Sequence, residues 1–363
     1  MKILCVIDSL GSGGAQRQLV NMAVGFKEKG HNVLFLVYHS KNFFKEILGE
    51  NNISIYEIIE PNYFKRLIKM RHFIRNGRFD SVLSFLEGAN LICEITGLPW
   101  RKWKLVVGER SANPAILKSI KLRAYRWSHL FADHVVANSF ENIKIVRKSN
   151  PLLSTKKCHV IYNIVDFEKW KPDENYIPLK DGKFKIVVAA SHRYLKNLKN
   201  VILGVNLLTD EEKNKLIIEW YGDNIEGDYF DKSYPEALEL IEKLKLQNQF
   251  RFYPATYELP TIVKKADAVG LFSFYEGLPN AVCEAMFAGK PVIVTNISDV
   301  PLLINDEKLI CDPESPDSVK NAFSYLLSCN SPKINKIVEE NRKKALALFN
   351  KEKIINQYIE LIK

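Results

Sequence analysis

Ser273-Phe274-Tyr275-Glu276-Gly277-Leu278-Pro279-Asn280-Ala281-Val282-Cys283-Glu284-Ala285-Met286 carries two carboxylates, separated by seven residues, in an otherwise apolar setting. The run Ala268–Ser273 reads as a buried strand, and a helix is expected from Pro279 to Ala288, with proline suited to the first turn. At 3.6 residues per turn, Glu284 lies about one and a half turns into that helix. One carboxylate then stands on the loop and the other on the helix. Both can face a ligand held outside the carboxyl ends of parallel strands. Carboxylates accept directional hydrogen bonds from neighbouring sugar hydroxyls, and the helix N-terminus beside Gly277 can face a phosphate. A single glutamate is usually a cap or a solvated side chain. Glu284 differs, because Ala281, Val282, Cys283, Ala285, Met286 and Phe287 surround it and a charge there needs a partner or a purpose.

Outward from this stretch, strand-like and helix-like segments alternate. Lys185–Ala190, Lys215–Tyr221, Phe250–Tyr253, Pro291–Thr295 and Leu309–Cys311 read as strands, with helices expected over Asn197–Leu208, Glu236–Leu246 and Leu259–Lys265. The first half repeats the pattern. Strands are expected at residues 1–8, His31–Val37, Ile53–Ile59, Asp80–Phe85, Leu105–Gly108 and His134–Ala137, and helices over Ala15–Lys29, Phe43–Glu50 and Tyr63–Asn76. Alternation of this kind implies parallel sheets with crossover helices. The 363 residues exceed what one core usually supports. Two doubly wound domains are therefore expected, 1–165 and 166–349, meeting in the turn-rich segment Asn163–Asp181.

The first strand runs into Gly11-Ser12-Gly13-Gly14, where amides can approach an anion beside a helix N-terminus. The dinucleotide fingerprint is not met. Gln16 holds the third glycine position, and the second strand ends in His39-Ser40 with no carboxylate for a ribose. A phosphate- or sugar-facing loop and a plain tight turn both fit these residues.

With Glu276 and Glu284 set in E-G-L-P-N-A-V-x-E-A and followed by Gly289-Lys290-Pro291-Val292-Ile293, the chain resembles glycosyltransferase family 4, retaining enzymes of the GT-B fold. The resemblance runs from Gly13-Gly14-Ala15 to the C-terminal helices. It implies an α/β protein of two Rossmann-like domains, the first binding acceptor and the second a nucleotide-sugar donor, most commonly a UDP-sugar. By the same resemblance Glu276 contacts the donor sugar and Glu284 the ribose. Gly277, Leu278, Pro279 and Asn280 line the donor with Gly13 and Gly14, and a C-terminal helix near 350–363 returns to the first domain.

The family also places an arginine and a lysine after the first strand of the second domain, to hold the diphosphate as it leaves. Here that segment reads Ser191-His192-Arg193-Tyr194-Leu195-Lys196-Asn197. Arg193 and Lys196 are the candidates, with Lys199 a competitor because the spacing is short. Cations there would act most strongly on the charge that builds in the transition state. No Asp-x-Asp motif is present, so neither a metal nor another cofactor is expected. On the acceptor side, Glu87, Glu109 and Arg110 fall just past strand ends, where many family members carry histidines. Arg110 could equally pair structurally with a carboxylate.

The formal net charge of +10 is unevenly spread. Residues 1–165 hold 25 Lys/Arg against 12 Asp/Glu, and the remainder 27 against 30. The excess suggests a polyanionic partner for the first half. Lys65, Arg66, Lys69, Arg71, Arg75 and Arg78 interleave with Phe64, Leu67, Ile68, Phe73 and Ile74. Trp100-Arg101-Lys102-Trp103-Lys104 and Lys118–Trp127 add further cations and indoles. Such mixtures suit an anionic headgroup interface, although either stretch alone could be a solvated face. The expectation is peripheral docking at the cytoplasmic face of a membrane, where a polyprenyl-diphosphate-linked glycan would be the acceptor. No apolar run approaches the roughly 20 residues that span a bilayer. The six scattered cysteines suggest a reducing compartment rather than a disulfide framework. Two other readings stand beside this one. A GT-B nucleotide-sugar epimerase would need no acceptor, and a basic nucleic-acid-binding protein would leave the two glutamates unexplained.

Overall fold

The computed structural model describes residues 1–173, 182–223 and 231–363. Part of the expected linker, 174–181, lies outside the described residues. The chain forms two compact units, Met1–Ile164 with Phe349–Lys363, and Val165–Leu348.

The first unit contains seven parallel strands: β1 (Lys2–Val6), β2 (Asn32–Val37), β3 (Ser54–Glu57), β4 (Ser81–Phe85), β5 (Lys104–Glu109), β6 (His134–Ala137) and β7 (Cys158–Val160). Their order is β3-β2-β1-β4-β5-β6-β7. The central strands are apolar on both faces, as a sheet covered by helices on both sides requires: Ile3, Leu4, Cys5 and Val6 are fully buried, as are Val82, Leu83 and Phe85. The terminal helix Lys351–Ile362 belongs to this unit. Its Ile354, Ile355, Tyr358, Ile359 and Ile362 share a core with Ile3, Cys5, Leu19 and Phe26. Gln18 exchanges two hydrogen bonds with the backbone of Ile164, at 2.9 and 2.7 Å, and so fixes the end of the unit's first segment.

The second unit contains six parallel strands: β8 (Phe184–Ala189), β9 (Leu216–Tyr221), β10 (Phe250–Tyr253), β11 (Ala268–Leu271), β12 (Val292–Thr295) and β13 (Ile310–Cys311), in the order β10-β9-β8-β11-β12-β13. Strand order reverses between β1 and β4 in the first unit and between β8 and β11 in the second. The crevice outside the carboxyl ends at such a reversal is where open α/β sheets bind ligands.

Two boundaries near the paired glutamates differ from expectation. β11 ends at Leu271 rather than Ser273, and the Ser273 carbonyl instead accepts a bond from the Thr295 hydroxyl at 2.7 Å. The following helix is Asn280–Phe287, with Pro279 extended at its N-cap rather than inside the first turn. Among the described residues no helix is long and apolar enough to cross a membrane. All six cysteines are free.

Candidate active site

The loops after β8 and β11 meet at the reversal of the second sheet. The Phe274 amide donates to the Leu195 carbonyl at 2.9 Å, and the Tyr194 and Phe274 rings stack with centroids 5.0 Å apart. This brings the Lys196 ammonium into hydrogen-bonded contact with Glu276 Oε1. Ser273 Oγ donates to the same oxygen at 2.9 Å. Lys199 is exposed on the next helix. Of the two lysines, it is Lys196 that reaches the glutamate.

Three devices hold the β8 loop in this position. Asn197 adopts a left-handed conformation (φ 63°, ψ 39°), which asparagine tolerates better than most residues, and its side chain donates to the Pro313 carbonyl at 2.7 Å. The Asp231 carboxylate accepts the Tyr194 amide at 2.8 Å. Burial works against that charge, but bonds from Ser233 and Tyr194, with Arg193 nearby, hold Asp231 below the usual carboxylate range. Gly222, just past β9, lies against the loop so closely that a Cβ there would sit 2.0 Å from the Ala190 carbonyl oxygen. Only glycine fits.

Glu284 is buried, 5% exposed, on the helix Asn280–Phe287. Its charge and the burial of the neighbouring thiol push Cys283 well above its ordinary value, burial being the larger cause. Gly277, Leu278 and Pro279 are buried in the turn before this helix. The N-cap residue Pro279 gives this helix no side-chain cap and its first turn holds no acidic residue, so the helix dipole there favours an anion.

At the reversal of the first sheet, Gly13 is the N-cap of the helix Gly14–Glu28. Neither Gly13 nor Gly14 takes a positive φ. The turn therefore does not need glycine for its conformation. Gln16 folds over Gly13, where a Cβ would lie 2.3 Å from its Oε1, and donates to Asp8 Oδ1 at 2.9 Å.

Opposite, β4 turns into a helix that the sequence reading missed, Glu87–Thr96, through Leu86 at φ 75°, ψ 147°. Such a conformation costs a non-glycine residue about 1–3 kcal/mol and tends to occur at functional sites. Glu87 opens the helix and pairs with Arg126 Nη1 at 2.6 Å. Arg126 Nη2 bonds Glu109 at 2.8 Å, and Glu109 meets His129 Nε2 at 2.9 Å. His129 Nδ1 lies 2.6 Å from Glu94, which also accepts from Ser128. Burial alone would keep this imidazole neutral, yet the flanking carboxylates push His129 up to about 9. Burial likewise opposes the Glu109 charge, but Arg126 and His129 hold it below the usual carboxylate range. With the histidine protonated, three carboxylates face two cations, and the surplus negative charge falls at the accessible end. There the Glu87 side chain is 37% exposed, while Arg126, Glu109, His129 and Glu94 are at most 2% exposed.

Of the acceptor-side candidates, then, Glu87 is accessible and Glu109 is its buried support. Arg110 bonds the Tyr358 hydroxyl at 2.7 Å and lies over the Phe85 ring at 3.7 Å, so it fastens the terminal helix. Sequence reading missed Glu94, Arg126 and His129, because the network exists only once distant elements pack.

The basic first half divides in a similar way. Arg71 and Arg75 donate to the carbonyls of Ile95, Thr96, Leu98 and Trp100, and Arg101 pairs with Asp133 at 2.6 Å. Trp103 is in the core. These residues and Arg126 build the unit rather than a headgroup-facing surface. Phe64 and Ile68 remain 73% and 66% exposed one turn apart, beside exposed Lys65 and Lys69.

Comparison with known proteins agrees with this architecture. Residues 12–169 match the family described as Glycosyltransferase Family 4, and residues 171–344 match Glycosyl transferases group 1. The chain is 23% identical to an N-acetylgalactosamine-N,N'-diacetylbacillosaminyl-diphospho-undecaprenol 4-alpha-N-acetylgalactosaminyltransferase of Campylobacter jejuni, over 99% of both chains. It is 26% identical to a UDP-Gal:alpha-D-GlcNAc-diphosphoundecaprenol alpha-1,3-galactosyltransferase of Escherichia coli, over 68% of this chain and 65% of that one. Among solved structures, HepE of Anabaena in complex with UDP-glucose superposes with a TM-score of 0.86 at 19% identity, covering 99% of this chain and 98% of that one. Two seven- and six-stranded parallel sheets, the paired glutamates and both family matches lead to one assignment: the chain is a glycosyltransferase of family 4 with the GT-B fold.

Proposed function

We propose that this glycosyltransferase moves a sugar, with retention of configuration, from a UDP-sugar to a hydroxyl of a polyprenyl-diphosphate-linked glycan at the cytoplasmic face of a membrane. The observation that carries the donor half is the meeting of Lys196 and Glu276 at the β8–β11 reversal. In this reading Arg193 and Lys196 neutralise the departing diphosphate, the helix Asn280–Phe287 adds its positive end, Glu276 holds the sugar and Glu284 the ribose. Gly13 and Gly14 stand at the first sheet's crevice, where the Gln16 side chain covers Gly13. Preorganised cations at the β8–β11 reversal act in the transition state without reorganising.

The acceptor half rests on two supports. Glu87 offers an anchored, accessible carboxylate to a sugar hydroxyl, and relatives named for undecaprenyl-diphosphate-linked substrates match the chain. Phe64 and Ile68 with Lys65 and Lys69 would bring the first unit to an anionic leaflet.

Thermal stabilisation by UDP, GDP, CMP and NAD, in native protein and Glu284→Ala, tests the donor half. Ligand at 100 times its dissociation constant adds about 2.7 kcal/mol, a shift of several degrees. A UDP shift lost in Glu284→Ala is expected. Stabilisation by NAD alone would overturn the reading.

A further inference from the structure

Glu276 is held by one of its two oxygens. Ser273 Oγ and Lys196 Nζ both end on Oε1, and among the described residues no other bond reaches this carboxylate. A carboxylate has about four lone-pair sites over two oxygens, so Oε2 is the atom left to accept from a ligand. Ser273 is fully buried, and its carbonyl is fixed by the equally buried Thr295 hydroxyl of β12 at 2.7 Å. The serine therefore takes its position from a neighbouring strand, not from the loop that it begins. A buried hydroxyl needs a partner, and this one donates to the glutamate three residues ahead.

We infer that Ser273 is a positioning residue: it turns the Glu276 carboxylate so that Oε2 meets a hydroxyl of the donor sugar, and thereby governs engagement of the sugar without governing the nucleotide. The inference rests on the donor-site reading above. UDP carries no sugar, so its affinity reports an intact fold and an intact nucleotide site, whereas turnover of a UDP-sugar reports the carboxylate.

The experiment compares Ser273→Ala, Thr295→Val and Ser273→Thr by calorimetric titration with UDP. Steady-state UDP release by hydrolysis, with water as the acceptor of the sugar, is measured in parallel from UDP-galactose, UDP-N-acetylgalactosamine and UDP-glucose. Ser273→Ala should hold UDP within about twofold of native affinity and lose about tenfold in kcat/KM for the sugar nucleotide. That loss is the size of one hydrogen bond of about 1.4 kcal/mol. Thr295→Val should show a smaller loss of the same kind, and Ser273→Thr, which keeps the hydroxyl, should recover most of it. Parallel losses for UDP and UDP-sugar, or unchanged sugar turnover, would overturn the inference. A Glu276→Gln variant separates the two claims. Full turnover there removes the donor-site reading itself, whereas impaired Glu276→Gln beside an unaffected Ser273→Ala removes only the role of the serine.

Discussion

Replacing Arg126 by methionine tests whether the buried network of the first unit is held by its central cation. The guanidinium is fully buried and bridges Glu109 at 2.8 Å and Glu87 at 2.6 Å. Methionine fills much of the volume but leaves Glu109, itself 2% exposed, with His129 as its remaining charged partner. Breaking a buried pair by removing one member costs about 3–5 kcal/mol. For a unit of roughly 180 residues that is a fall in midpoint on the order of 10 °C. Glu87→Gln, at the exposed end, should cost only about 0–1 kcal/mol. Differential scanning calorimetry separates the two. Equal costs, or a loss below about 1 kcal/mol for Arg126→Met, would refute the assigned hierarchy. The same network carries a pH signature. The folded value of His129, about 9, lies above its ordinary 6.5, so its contribution is complete below pH 6.5 and is lost as pH rises through 9. Urea midpoints at pH 6 and pH 9.5 should differ in that direction.

Gly222→Ala places a methyl 2.0 Å from a backbone oxygen that cannot swing away, so a loss of about 3 kcal/mol is expected, with weaker UDP binding as the Arg193–Lys196 loop shifts. Unchanged melting and unchanged UDP titration would contradict the close packing. On the membrane side, co-sedimentation with anionic but not neutral vesicles is expected for the native protein and should be lost in Phe64→Ser/Ile68→Ser. Arg71→Gln should instead lower the melting temperature, since Arg71 holds three backbone carbonyls, and should leave vesicle binding in place. Equal pelleting with both vesicle types would contradict the docking face.

The parts of the fold legible in the sequence were those written in local periodicity. Apolar runs such as Ile3–Ile7 and Leu105–Val107 mark buried parallel strands because both faces are covered. The paired glutamates were legible because their spacing, the proline and the apolar surroundings occur in one stretch. Other features depend on tertiary contact and leave no local trace. His129 lies 35 residues from Glu94 and 20 from Glu109. Leu86 has nothing in its side chain to announce a positive φ, so the helix beginning at Glu87 is not legible where the strand ends. Arg71 and Arg75 read as cations for a headgroup interface, since the carbonyls they satisfy belong to a helix end more than 20 residues away. Charge counting alone cannot separate such structural cations from those that face a partner.

The central claim is that the crevice at the β8–β11 reversal holds the donor through Lys196. Titration of UDP against native protein, Lys196→Ala and Lys199→Ala tests it most directly. One charge-assisted hydrogen bond contributes about 1.5–3 kcal/mol, so Lys196→Ala should weaken UDP roughly 10- to 150-fold while Lys199→Ala stays near native. Native affinity in Lys196→Ala would contradict the account.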